Sequence, residues 1–218
     1  MNKKIKNLYL LGGGGFCEEV IWIISKLKDK WNICGILENN KSLVGTKILD
    51  VPVVGTTEDW LKFSDDYFIV TIGNPRIRKK VVNAMLNLGT PKFATIIDPA
   101  VSYHDSLKIG HGSIICAGSI LTTNISIGEH CIVNLGCCIG HRVSLEDFCT
   151  IAPNVAISGE VTLQKGVEVG VGSCIKQGIT ISIGSMVGMG TVVTKSILNQ
   201  NCLIFGVPAK VIKDLEEF

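Results

Sequence analysis

The sequence is poor in several things, and each shortage removes a class of function. No apolar run reaches the roughly 18 residues a membrane-spanning helix needs, although mean hydropathy is high at +0.39. Charged residues are only 18% of the 218, against 46% hydrophobic, which excludes a disordered chain and calls for a large buried core. The formal net charge is +2, and the densest basic run is "RIRKK" (Arg76 to Lys80). Nucleic acid and acidic membrane surfaces therefore find little to bind, and the run reads as the solvated face of a helix. The start "MNKKIKNLYLLGGGG" is basic and then apolar, but its apolar run is short and ends in four glycines with no small-residue cleavage site. It is expected to be a first buried strand rather than a secretory signal. Nine cysteines are present without a CxxC pair. An odd number in a chain of this size, with no export signal, implies reduced cytoplasmic thiols and no metal.

What is present falls into two halves with different periods. From Ile5 to about Thr95, strand-like and helix-like segments alternate. "IKNLYLL", "NICGILE", "VPVVG", "YFIVTIGN" and "KFATII" read as strands. "FCEEVIWIISKLK" has helical spacing, "TEDWLKF" starts a short helix, and "PRIRKKVVNAMLNLG" has Pro at its first turn and Gly after its end. This order predicts an α/β domain over residues 1–96 with a short parallel sheet, half a dinucleotide fold in size.

From Ile109 every sixth residue through Val193 is Ile, Leu or Val, fifteen positions in succession without an insertion. Four residues after each comes a small or β-branched side chain, including Cys131, Cys137 and Cys149. No α-helix or hairpin sheet has a period of six; a β-solenoid does, with three hexads to each coil of 18 residues. The aliphatic residues line the core, and the cysteines in phase with them are expected to be buried filler. The β-helix is placed at residues 97–218, including a C-terminal tail.

Three features point to chemistry. The run "LLGGGGFCEEV" sets Gly12, Gly14, Gly15 and Phe16 between a strand and a helix, either as an anion-binding loop or as a tight turn. Glu38, at the end of the second strand, stands where a ribose-binding acid would, and Gly73 and Asn74 of "TIGN" end another strand. Asn74 is placed either to reach a ligand or to cap the helix begun by Pro75. Of four histidines, His111 and His141 are third in their hexads and His130 fourth, toward turns and pointing outward. His130 reads as a bystander. Gly159, one coil after His141, would leave space beside that imidazole. The γ-class carbonic anhydrases use a left-handed β-helix with three histidine ligands for a metal, two of them five residues apart, and that spacing is not met. His130 and His141 are eleven apart, and His111 precedes His141 by thirty.

Taken in order, "GGGGFCEEV", "TIGNPRIRKK", "DPAVSYHDSLKIGHG", "IGHRVSLEDF", "GMGTVVTK" and "FGVPAKVIK" resemble the nucleotide-sugar acetyltransferases of the sialic-acid, bacillosamine and perosamine pathways. The resemblance covers nearly the whole chain. It implies that the β-helix is left-handed and that the protein is a cytoplasmic homotrimer with its site between subunits. It implies an acetyl-CoA-dependent N-acetyltransferase acting on a nucleotide-linked amino sugar, with His141 as general base. Gly12, Gly14, Gly15, Phe16, Glu38, Gly73 and Asn74 would then bind the nucleotide sugar. Thr150, Gly172, Gly188, Gly190, Val207, Pro208 and Lys210 would line the coenzyme path. Sugar O-acetylation and a non-catalytic trimeric scaffold are the alternatives. The family often has an acid directly after its histidine. Here Arg142 stands there, which leaves Glu129, Glu146 or Asp147, of this chain or of a neighbouring one, to orient the ring, or else an altered base mechanism.

Overall fold

The computed structural model describes residues 5–218; the basic start, residues 1–4, lies outside it. The first half is a parallel sheet of β1 (Lys6–Leu11), β2 (Trp31–Leu37), β3 (Lys47–Ile48), β4 (Val51–Gly55), β5 (Tyr67–Val70) and β6 (Lys92–Phe93), ordered β3-β4-β2-β1-β5-β6. Only the edge hairpin of β3 with β4 is antiparallel. Helix α1 (Gly15–Ser25) covers one face and α2 (Pro75–Leu88) the other. Two readings needed correction. "YFIVTIGN" is a strand only to Val70, because the Thr71 hydroxyl turns back to donate to the carbonyls of Leu11 and Gly12 at 3.0 and 2.7 Å. "KFATII" is two strands: Lys92–Phe93 ends the α/β sheet and Ile96–Ile97 opens the β-helix.

The second half is a three-sided parallel β-helix whose two-residue strands pair at a spacing of 18 residues as far as Val193, after which Met186–Val187 pairs with Leu203–Ile204, 17 residues on. The hexad phase begins two repeats earlier than the aliphatic run shows, at Ile97 and Tyr103, because the half-exposed Tyr103 breaks the aliphatic rule without breaking the coil. The sixth-residue aliphatics from Ile115 to Val193 are buried and form one continuous core. The small set packs inside with them, and its polar members have a specific task. Ser113 Oγ donates to Gly128 O, and Ser119 Oγ to Asn134 O, at 2.9 and 2.8 Å. Sγ of Cys131 and Cys137 reaches Glu146 O and Ala152 O at 3.0 and 3.2 Å in the same relation. Small donors sit here because each corner carbonyl turned toward the core needs a partner.

The outward strand residues tell the three faces apart. Third-face positions are Lys108, Ser126, Ser144 and Thr162, whereas first-face positions Ile96, Ile114 and Ile132 are buried. Helix α1 lies between them and the sheet, packing Ile21, Ile23 and Ile24 into a core shared with Leu8, Leu10 and Ile36. Lys26 at its end pairs with the buried Asp98 at 2.7 Å. The two halves are thus one packed body, with the α/β layer docked on the first face.

Burial pushes the Cys137 thiol up to about 11 and the Cys149 thiol well above its ordinary value. Cys131, Cys137 and Cys149 are all buried and should resist an alkylating reagent in the folded protein and react on unfolding. Mass spectrometry of tryptic peptides before and after urea checks this, and fast native labelling at any of the three would show that the coils open.

Candidate active site

The glycine loop lies at the C-terminal edge of the sheet, where the chain order reverses on either side of β1, the usual ligand crevice of such sheets. Gly12 has a left-handed φ of +102°, and a Cβ there would strike the Ile72 side chain. Gly13 donates its amide to Glu38 Oε2 at 2.5 Å, while Glu38 Oε1 accepts from the Asn40 amide at 2.8 Å. Glu38 therefore holds the loop in shape. Gly14, the N-cap residue, and Gly15, the first residue of α1, face open space, as does Gly73. Phe16 follows in the first turn, half-buried against the α1 core. Asn74 is exposed and caps α2, its Oδ1 accepting from the Ile77 amide at 3.0 Å.

The basic run after Asn74 is not a solvated face. Arg78 is 0% exposed, whereas Ile77 beside it is 52% exposed. Its guanidinium donates to Ile72 O and Gly73 O, both at 2.7 Å, and to His130 O and Phe148 O, both at 2.8 Å. It also reaches Thr150 Oγ1 at 2.8 Å. Loss of hydration lowers its pKa to about 10, which leaves it charged at neutral pH. Arg76 reaches Gly184 O and Glu216 O at 2.8 Å, so two arginines of the run stitch α2 to the β-helix.

Thr150 is a further correction. It was expected along the coenzyme path, but it is buried on the first face, accepting from Arg78 and donating to Gly73 O at 2.8 Å. Both hydrogen-bonding functions of its hydroxyl are used between the layers. His130 is no outward bystander either. It is 2% exposed, stacked on Phe148 at 5.2 Å between ring centres and edge-on to Phe93 at 4.4 Å. Its corner lies between the third and first faces, where the α/β layer covers it.

His141 occupies a different corner, between the second and third faces. Its imidazole lies over Gly159, where a Cβ would stand within the ring. Nδ1 is buried with no partner among the described residues. Arg142 does not act on the ring by hydrogen bonding; it pairs with Glu160 one coil on, its Nε donating at 3.1 Å, and Gln177 supports the same carboxylate. Those contacts lower the Glu160 pKa, the Arg142 bond first. Glu129, Glu146 and Asp147, the acids expected to orient His141, belong to the His130 corner. There Glu129 pairs with His111 at 2.9 Å, Asp147 with Lys165 at 3.0 Å, and Glu146 accepts from the Lys165 amide at 3.2 Å. A cavity of about 250 Å³ beside His141 is lined on the second face by Thr122, Cys138, Gly140, Ala156 and Ser158. A larger one of about 610 Å³ lies at the opposite end of the sheet, near Asn7 and Trp31, and touches no candidate residue.

Gly172 and Gly190 form one open edge, between the first and second faces. Val207, Pro208 and Lys210 are exposed on the hairpin of Cys202–Gly206 with Ala209–Asp214, whose Phe205 ring lies over Gly188.

Residues 7–85 match the family described as the PglD N-terminal domain. Over 97% of this chain and 99% of the other, the fold matches a His-to-Asn variant of perosamine N-acetyltransferase from Caulobacter crescentus in complex with CoA and GDP-perosamine, with 27% identity and a TM-score of 0.86. The acetyltransferase domain of PglB from Neisseria gonorrhoeae, in complex with acetyl coenzyme A, matches at 26% identity and a TM-score of 0.87, over 96% of this chain and 100% of that one. WeeI from Acinetobacter baumannii matches at 26% and 0.83, over 94% and 99%. Over nearly its whole length the chain is thus similar to hexapeptide-repeat, nucleotide-sugar N-acetyltransferases, and residues 7–85 carry the PglD N-terminal domain. It shares their fold, an α/β domain followed by a left-handed parallel β-helix. A curated relative, an uncharacterized protein of Acanthamoeba polyphaga mimivirus, is 29% identical over 122 residues, which are 56% of this chain. The match spans about a quarter of that relative's length (24%).

Burial, followed by the charges of His111 and Arg78, lowers the His130 pKa to about 3, against a smaller opposing pull from Asp147. Its folded value is below its unfolded one, so the unfolded chain takes up a proton the folded chain refuses. Stability should fall with pH between about 6.5 and 3, by roughly 1.4 kcal/mol per unit from this group. His130→Asn tolerates the left-handed corner and removes the imidazole. Its stability deficit against wild type, from urea midpoints, should shrink between pH 7 and pH 4.5. A constant deficit would mean that His130 charges within the fold.

Proposed function

We propose that the protein is an acetyl-CoA-dependent N-acetyltransferase acting on the amino group of a nucleotide-linked amino sugar, working in the cytoplasm as a homotrimer. The observation that carries this reading is the seating of the His141 imidazole over Gly159 at an open edge of the β-helix. The likeness to chains bound to CoA and GDP-perosamine supports it. The sugar amine attacks the thioester carbonyl, His141 Nε2 takes the amine proton, and the tetrahedral adduct collapses. The products are the N-acetyl sugar and coenzyme A, whose sulfur takes up the proton. Nε2 acts as base when Nδ1 carries the ring's hydrogen.

The placement of the parts favours a site between copies. The glycine loop is on the layer docked to the first face, Gly172 and Gly190 lie on the edge next to it, and His141 is at the vertex opposite that face. A rigid prism cannot bring them together within one chain. A neighbouring copy can set its His141 corner against the nucleotide loop and coenzyme edge. In this reading Gly12, Gly14, Gly15, Phe16, Glu38, Gly73 and Asn74 form the nucleotide-sugar side. Gly172, Gly188, Gly190, Val207, Pro208 and Lys210 form the coenzyme side.

The test is CoA release with acetyl-CoA and UDP-, GDP- or dTDP-linked 4-amino sugars. Turnover is expected with one of them, and no release with any would remove the reading. Faster transfer to a hydroxyl acceptor would move it to O-acetylation. His141→Asn should lower kcat by about 10²- to 10⁴-fold. Gly159→Ala, which fills the ring's place, should also lower kcat while the thermal midpoint and trimer mass hold.

A further inference from the structure

Buried arginines without a carboxylate partner are costly, because a charge removed from water needs full hydrogen-bonding to compensate. Among the described residues Arg78 has no ion-pair partner; it has carbonyls and one hydroxyl. Two of those carbonyls, Ile72 O and Gly73 O, are consecutive, and Thr150 holds the second from another side. They belong to the segment following β5, beside the glycine loop. A trans peptide sets its C=O and N–H on opposite sides. With both carbonyls drawn toward the guanidinium, the amides of Gly73 and Asn74 must point away from the β-helix. Neither donates to a protein group among the described residues. A Cβ on Gly73, Gly14 or Gly15 would meet no atom within 4 Å, so the segment and the helix start border open space.

Building on the proposed nucleotide-sugar reading, we infer that Arg78 is a positioning residue for its diphosphate. Anchored on two coils of the β-helix, it fixes the Ile72–Gly73 peptides so that the Gly73 and Asn74 amides are presented to a ligand at the glycine loop. Its fork geometry matters more than its charge. A lysine keeps the charge but is a point donor on a flexible stem, and cannot hold carbonyls of three separate segments at fixed angles.

The test is calorimetric binding of UDP, GDP and dTDP to the full chain, with acetyl-CoA binding measured alongside. Arg78→Lys should weaken the preferred nucleoside diphosphate about tenfold, comparable to the loss of one good hydrogen bond to a charged group, with acetyl-CoA affinity within about twofold of wild type. Thr150→Val, nearly the same shape, removes one of the two holders of Gly73 O and should weaken the same ligand about threefold, with acetyl-CoA affinity within about twofold of wild type. Equal weakening of both ligands by Arg78→Lys would assign Arg78 to general stability and overturn the inference. So would an unchanged nucleotide affinity in Thr150→Val, which decides the matter where Arg78→Lys fails to fold. A wild-type chain that binds none of the three nucleotides also overturns it. Failure of the enzyme reading is distinguishable: wild type would bind a nucleoside diphosphate, lose that binding in the variants, and still release no CoA.

Discussion

The constraint on which the β-helix depends is the corner. At every sixth position from Gly112 to Gly190 the chain turns through a left-handed backbone, and it does so fourteen times. Glycine fills most of these corners at no steric cost and asparagine fills two. His130, Arg142, Phe148 and Glu160 are the remaining four, each held at a φ between 54° and 62°. Side chains other than Gly, Asn and Asp adopt this conformation at a cost of roughly 1–2 kcal/mol, so these four need a compensating gain. His130 and Phe148 stack together beneath the α/β layer, and Phe148 also gives a carbonyl to Arg78. Arg142 and Glu160 pair across one coil beside His141. The strained corners thus gather at two places only, the joint between the layers and the edge of the candidate active site, as expected where surrounding contacts over-determine an unfavoured backbone.

The core of the solenoid was legible because its period is strict. An aliphatic residue every six positions has no other explanation, and its partner set marks Cys131, Cys137 and Cys149 as interior, where they are buried. The docking of the two halves was not legible, because it depends on what faces outward, where the hexad rule says nothing. A signal was present, however. Outward positions on the first face run Ile96, Ile114, Ile132, whereas the third face reads Lys108, Ser126, Ser144. Reading every third hexad separately would have marked one face as covered.

Arg78 and Thr150 show a second limit. A charge run on a helix suggests solvent by composition, and a threonine in a hexad suggests nothing. Only the meeting of α2 with two coils, some 50 to 70 residues away, makes their polar atoms indispensable to each other. Ile77 and Arg78 even exchange the places that hydropathy would assign them. The buried guanidinium satisfies backbone carbonyls that the docked layers could not otherwise pair, so a residue chosen for its five donors outranks one chosen for its apolar surface.

The same reasoning bears on the acid missing after His141. The resemblance leads one to expect a carboxylate directly after His141, and Arg142 stands there instead. In the coil geometry the residue one rung on is as close as the residue next in sequence. Glu160 stacks on Arg142 and Gly159 stacks on His141, so the pair at this corner is neutral overall, with its carboxylate displaced by one coil. That arrangement leaves Arg142 engaged, keeps its charge from acting alone on the imidazole, and requires a glycine at 159 because the ring occupies the volume a side chain would need. Residues 142, 159 and 160 therefore build the histidine's corner together, because stacked coils turn a distance of 18 residues into a single rung.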